Sequence, residues 1–365
     1  MEISDCVTGF KRYEKEALCE GEGGFKPTLF YDVTADPEWE KFDLALLTLS
    51  DRNDTSEKSE IIGFEMELRS HLYHLAAFQH SLKLIDLGHL KNGNTANDTL
   101  AALRIVLEHL WSKNILLIVF SSSDFYYDQI FKQLKSFHSQ MNFVSLSSTI
   151  DYVSKVSKAK DLYVDYRFIG YQSQRVAPLI LEEMQRRNLQ MIRLGKAREN
   201  LPGLEPEFRD AHWVSISTSS IRHSDFTAQK LPHPNGFLGE EICKLAHFSG
   251  ASENLRLFSC FGYLESRDIN YASLALSAEL IWYFLYGYTQ RIKEDKALMK
   301  VFNVDVHEGK QRLRFYKSDV SNRWWMEVPV INQKSRLIAC SYLDYQSACN
   351  DQIPERWLKA YHRYN

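Results

Sequence analysis

Residues 115–120 read ILLIVF, and the run passes directly into Ser121-Ser122-Ser123-Asp124. An unbroken apolar run of this length predicts a strand covered on both faces, the kind found inside parallel sheets. Segments on either side repeat the theme. Strands are expected over 43–49, 82–87, 142–146, 189–194, 212–217 and 254–261. Between them lie helix-periodic segments at 64–78, 95–111, 126–138, 175–187, 239–248 and 271–291. Such alternation argues for an α/β protein with a parallel sheet and helices on both faces. The order of the strands cannot be read from the pattern.

After Gln290 the character changes to short strand-like runs, RLRFYK at 312–317, WWMEV at 324–328 and SRLIACS at 335–341. Two regions are therefore expected, a main α/β domain over 1–290 and a C-terminal extension over 291–365, basic and aromatic.

With 44% hydrophobic and 25% charged residues among 365, disorder and collagen-like structure are excluded. The cysteines Cys6, Cys19, Cys243, Cys260, Cys340 and Cys349 form no CxxC pair, which suits a reduced, cytoplasmic protein. The amino terminus, MEISDCVTGFKRYEKE, has no apolar core of a signal peptide. The most apolar stretch, 272–288, is shorter than the ~20 residues of a bilayer span and carries Glu279, so no membrane insertion is expected.

The net charge of −3 conceals an asymmetry. Residues 290–365 hold 14 Lys+Arg against 9 Asp+Glu, or +5, which leaves −8 on residues 1–289. Basic plus aromatic composition is one mark of a nucleic-acid surface. The preferred reading is a basic tail packed on an acidic body, because the charges are spread out and not clustered on one helix face.

In an open parallel sheet, functional loops follow the carboxyl ends of strands. Four segments qualify: Ser121-Ser122-Ser123-Asp124; Ser147-Ser148-Thr149-Ile150-Asp151; Ser217 through Asp225; and Gly262 with Glu265. These segments, with FDLALLTLSDR, IDLGHLKNGNTANDTLAAL, SIRHSDF, PHPNGFLGEEICKLAHFSGAS and DINYASLALSAELIWYFLYGY, resemble the ureohydrolase superfamily of arginases, agmatinases and, most of all, bacterial formimidoylglutamase-like proteins. The likeness spans about 42–290, and FYKS, RWWMEVP and CSYLDYQSAC in the tail look like an extension of one formimidoylglutamase-like branch. It implies a three-layer αβα arginase-like fold with a parallel sheet, plus a small β-rich C-terminal extension.

The resemblance also implies a chemistry, in which two manganese ions turn a bridging water into hydroxide. The family holds them through GGxH, DxHxD and DxD motifs. These fall on Ser121–Asp124, Ser147–Asp151 and Ser217–Ser219, so the six ligand positions are Asp124, Ser147, Thr149, Asp151, Ser217 and Ser219. Only Asp124 and Asp151 could still ligate, and hydroxyls cannot offset the charge of two divalent cations. The family's last acidic position falls near Phe261 or Gly262, with Glu265 displaced. The expectation is a pseudoenzyme with no manganese cofactor and no catalytic residues, acting as a binding or scaffold component. The alternative is a formimidoylglutamase- or arginase-type metal-dependent hydrolase. Asp124 and Asp151 could retain one weakly held Mg²⁺ or Ca²⁺, but capping or loop hydrogen bonds are the simpler roles.

Other residues read more simply. His71 and His74, at i and i+3, are expected as half-buried polar groups. His223 with Asp225 suggests a loop hydrogen bond more than an acid–base pair, and Arg222 could hold an anion at the sheet mouth. Cys243 and Cys260 are expected in the core. In a strand, Trp324 and Trp325 face opposite ways. One could pack on the body while the other faces outward among Arg312, Arg314 and Arg323 as a docking surface for a protein partner or a second copy of the chain; the alternative is that both rings are buried within the chain.

Overall fold

The computed structural model describes residues 2–9, 24–29, 37–50, 63–79, 82–150, 164–331 and 334–365. Asp151 lies outside the described residues, as does Cys19. Ten strands build one sheet: β1 (Val7–Thr8), β2 (Thr28–Leu29), β3 (Leu44–Leu49), β4 (Leu84–Leu90), β5 (Leu116–Ser121), β6 (Met141–Leu146), β7 (Val164–Tyr171), β8 (Gln190–Arg193), β9 (Trp213–Ser217) and β10 (Leu257–Phe261). Their order is β1-β4-β3-β5-β10-β9-β6-β7-β8, with β2 also on β4. Only the short β1 runs antiparallel to its neighbour among these pairings.

The ILLIVF run shows why the sheet is covered twice. Leu116, Ile118 and Phe120 enter one core, with the helices Phe64–His74, Gly239–Gly250 and Ala272–Thr289. Ile115, Leu117 and Val119 enter the other, with the helices Ala96–Ser112 and Tyr127–Phe137. Alternate side chains leave a strand on opposite faces, so a run with no polar position can only sit in the middle layer. Thr95 opens its helix with a capping box to Asp98. The helices Gly239–Gly250 and Ala272–Thr289 cross so closely that a Cβ on Gly250 would meet the Phe284 carbonyl oxygen at 1.9 Å, and one on Gly287 the His247 carbonyl oxygen at 2.1 Å. No helix among the described residues is long and apolar enough to cross a membrane.

Strand β10 lies between β5 and β9. In that register Phe261 is flanked by Ser121 on one side and Ser217 on the other. Strand β6 adjoins β9, with Leu146 beside Ile216. The carboxyl ends of β5, β10, β9 and β6 therefore form one rim, which brings the three serine-bearing segments together.

The C-terminal extension is a separate antiparallel sheet, β11 (Lys300–Val306), β12 (Gln311–Lys317), β13 (Trp324–Val328) and β14 (Arg336–Cys340). Two helices that the sequence reading did not include, Tyr342–Cys349 and Glu355–Tyr364, complete it. Ser341 caps the first through a capping box with Asp344.

Of the two readings of the tryptophan pair, the one with both rings covered holds, and neither ring faces outward. Trp324 and Trp325 do leave β13 on opposite faces, but each is only 8% exposed. Trp324 stacks on Tyr345 with ring centroids 4.7 Å apart, inside the extension's own core. Trp325 lies under the Arg209 guanidinium of the main domain, 4.7 Å from its ring centroid. The Trp324 face of the small sheet is covered by the extension's own helices, whereas on the opposite face Trp325 is covered by Arg209, while Val301, Arg312 and Arg314 stay exposed. The extension's arginines are engaged as well. Arg312 pairs with Asp305 at 2.7 Å and Arg314 with Glu327 at 3.2 Å within the small sheet, while Arg323 reaches Glu205 of the main domain at 3.1 Å.

The charge asymmetry has the same outcome. Arg356 of the last helix binds Glu207 at 2.7 Å, and Arg363 binds Asp165. The basic tail packs on the acidic body of its own chain.

Candidate functional site

At the end of β9 the chain enters a single turn, Thr218–Ser220. Ser217 Oγ lies 2.8 Å from Ser219 Oγ, and Ser219 Oγ lies 3.4 Å from Ser147 Oγ at the end of β6. Backbone donors feed the same oxygens. The Ser219 N–H donates to Ser217 Oγ at 3.3 Å and the Thr149 N–H to Ser147 Oγ at 3.2 Å. Three of the six anticipated ligand positions thus form one chain of hydroxyls, with Thr149 hydrogen-bonded beside it. On the β5 side, the buried Ser121 Oγ donates to the Ser123 carbonyl at 2.7 Å.

Asp124 is exposed at the start of the helix Tyr127–Phe137 and lines the same cleft. Among the described residues, no three His, Cys, Asp or Glu side chains come together as a metal site would require. Among the described positions the donors are neutral hydroxyls and one carboxylate, a poor set for two divalent cations.

A cleft of about 720 Å³ opens over this rim. Thr218, Phe261 and Gly262 line it, and Thr218 Oγ1 donates to the Gly262 carbonyl at 2.8 Å. Gly262 has φ +93°, and a Cβ there would meet Thr218 Oγ1 at 2.9 Å, so a glycine keeps this part of the lining low. The cleft also receives Arg175, Gln229, Lys230 and His233. Gln229 is buried and donates at 2.7 Å to the carbonyls of both Thr218 and Ile221, which fixes the turn beneath the cleft.

Arg175, Lys230 and His233 are absent from the sequence-based candidates. Arg175 ends a short turn, Ser173–Arg175, just after β7, a strand the sequence reading omitted. Strand β7 reads VDYRFIGY, in which Asp165 and Arg167 are the polar positions of a strand-like alternation.

Arg222 does not line this cleft. Its guanidinium binds Asp225 at 2.8 Å, and Asp225 also accepts the Gly239 N–H at 2.9 Å, at the amino end of the helix Gly239–Gly250. These hydrogen bonds outweigh the upward push of burial and hold the Asp225 carboxyl below its ordinary value. Asp225 is a structural clasp, and His223 is not its partner. His71 has a carboxylate neighbour after all, Glu67 at 3.6 Å. Cys243 and Cys260 are buried, and burial pushes both thiols up to about 12, which makes them inert.

No family model and no curated protein matches the chain. Solved structures do. Formiminoglutamase of Trypanosoma cruzi, solved with manganese, superposes with a TM-score of 0.61 at 12% identity, over 72% of this chain and 98% of that one. Formimidoylglutamase of Bacillus subtilis gives 0.58 at 11% identity, over 80% and 93%. Agmatine ureohydrolase of Thermoplasma volcanium gives 0.55 at 13% identity, over 71% and 95%. The chain has the ureohydrolase fold. At these identities the likeness is one of fold, and the chemistry of this ureohydrolase-fold protein has to be argued from its own rim.

Proposed function

We propose that this ureohydrolase-fold protein is a pseudoenzyme that binds a ligand in the rim cleft without a manganese pair and without hydrolysing it. The hydroxyl chain Ser147–Ser219–Ser217 carries the reading, because it stands where the family resemblance puts metal ligands and its members hydrogen-bond one another. A hydroxide bridging two ions needs both ions held by anionic and imidazole donors. Removing the carboxylates also removes their mutual repulsion, so the rim is stable without cations.

The test is elemental analysis of the full chain produced with excess manganese, together with assays on formimidoylglutamate, arginine and agmatine. The expected result is no stoichiometric manganese and no turnover. About two equivalents of manganese, with turnover abolished by Asp151→Asn, would overturn the proposal in favour of a metal-dependent hydrolase.

A further inference from the structure

The inference concerns what the cleft takes, and so rests on the binding reading above. Among the described residues its charged lining is two cations, Arg175 and Lys230, against one carboxylate, Asp124. The rest of the polar lining is hydroxyl, amide and imidazole, all groups that can donate to an oxygen. A cation would find a single anionic group here. An anion would find two full positive charges.

Unpartnered polar atoms give the second observation. Arg175 Nε and His233 Nδ1 are buried with no hydrogen-bond partner among the described residues. His233 is only 5% exposed, and its ring lines the cleft. Two more such atoms sit close by in the chain. His223 Nδ1 belongs to a residue whose N–H donates to the His233 carbonyl at 2.7 Å, and Ser148 Oγ to one whose N–H approaches Ser219 Oγ at 3.5 Å. Leaving a buried donor unpaired is costly to the fold, and a bound acceptor would relieve that cost. Burial, then the nearby Arg175 and His223, keep the His233 imidazole neutral, so it can place its proton on Nδ1 and donate without adding charge. Guanidinium is the side chain best shaped to grip a planar or tetrahedral oxyanion with parallel N–H groups.

We propose that the cleft is an oxyanion site, in which Arg175 and Lys230 hold the carboxylate or phosphate group of a small molecule beside His233. The serine-lined rim supplies neutral donors to the same group. The polarity of the site is thus the inverse of a cation site.

The experiment uses the full chain, washed with EDTA, and isothermal titration with inorganic phosphate in one arm and succinate in the other. Potassium chloride at matched ionic strength is the control. At about 10 mM even a millimolar site fills. Saturable binding of at least one probe is expected, and the arm that binds says whether phosphate or carboxylate is the preferred group. Arg175→Gln should weaken that binding at least about tenfold, or 1.4 kcal/mol, and Lys230→Gln severalfold. Arg222→Gln, on the clasp outside the cleft, should leave it unchanged. Lys230 is exposed, so its variant keeps the test valid if Arg175→Gln folds poorly. If neither probe binds, or if both cleft variants bind as the wild type does, the oxyanion site is wrong. Because metal content is measured separately, a metal-free protein that binds no anion refutes this inference alone.

Discussion

The rim of the main sheet and the seam between the main domain and the C-terminal extension treat charge in opposite ways. At the seam, Arg167 binds Asp210 at 2.7 Å and Asp165 at 3.2 Å, Arg356 binds Glu207 at 2.7 Å and Asp344 at 2.6 Å, and Arg363 joins Asp165. Each cation there meets at least one carboxylate, although Arg363 Nε is also buried with no hydrogen-bond partner among the described residues. At the rim, serine hydroxyls bond one another, and Arg175 Nε and His233 Nδ1 are buried with no hydrogen-bond partner among the described residues. A buried charge with partners is accounted for by folding. A buried donor without one is where a protein can still gain by binding something else.

Removing one member of the seam should have the largest effect. Glu207 is buried, accepts from Arg356 and Gln190, and lies 3.9 Å from Arg167. Glu207→Ala leaves two arginines short of a carboxylate in a covered place. A loss of about 3–5 kcal/mol is expected in urea unfolding. A loss no larger than that of an exposed carboxylate would mean that water enters the seam, and the comparison with the rim would collapse.

The tryptophan pair sharpens the same contrast. Trp324→Ala removes a ring from the extension's core and should cost about 3–5 kcal/mol. Trp325→Ala should cost less, since its ring meets the body through Arg209, a cation–π contact worth at most about 2 kcal/mol. Size-exclusion with light scattering should show neither change altering association. A Trp325→Ala variant that folds normally but splits an oligomer would restore the docking surface expected from sequence.

Acid should separate the two regions as well. Burial pushes the Glu207 carboxyl up, but Arg356 and Arg167 outweigh it and hold it below its ordinary value. Asp210 is likewise pushed up by burial and held low by Arg167. A depressed carboxyl stabilises the fold above its unfolded value and loses that contribution as pH falls through the folded one. His212, nearby on the opposite edge of the sheet from the rim, acts earlier. Burial, then His138, lower it from 6.5 to about 4. The unfolded chain therefore takes up a proton that the folded chain refuses, and stability falls from pH 6.5 down to about 4. Unfolding free energies measured from pH 7 to 3 should show a first loss that is smaller in a stable His212→Asn variant, the other buried histidines supplying the rest. A second loss, below the ordinary carboxylate range, should be smaller in Glu207→Gln.

These contrasts also explain what the sequence could disclose. Strands such as ILLIVF were legible because both faces are apolar, and the serine segments because they follow such strands. Strand order was not, since β10 enters between β5 and β9 from more than 130 residues beyond β5. Strand β7 escaped because Asp165 and Arg167 look like solvent-facing charges, yet the extension covers them. Arg175 escaped with it. The capping boxes at Thr95 and Ser341 have the same form, but only the first is followed by a clear helical period in the sequence. For Trp324 and Trp325 alternation fixes the direction of each ring but leaves its exposure open, because it says which face a ring takes and not what covers that face.

The smallest predicted effect tests the rim itself. Ser219 Oγ sits between Ser217 Oγ at 2.8 Å and Ser147 Oγ at 3.4 Å and is the link of the hydroxyl chain. Its loss in Ser219→Ala leaves two partly buried hydroxyls that can turn to other acceptors or to water. Each hydrogen bond between neutral groups contributes about 0.5–1.5 kcal/mol, and such rearrangement returns part of it. A destabilisation of about 1 kcal/mol or less is expected, several times below that of Glu207→Ala. Ser219→Asp should cost more than Ser219→Ala, because it places a carboxylate on a rim whose neighbours form no metal site. If manganese restored the stability of Ser219→Asp to that of the wild type, the rim would still hold enough of a cation site to bind metal once one carboxylate returned. If manganese had no effect, the loss of the site would extend beyond any single ligand, as the hydroxyl chain requires.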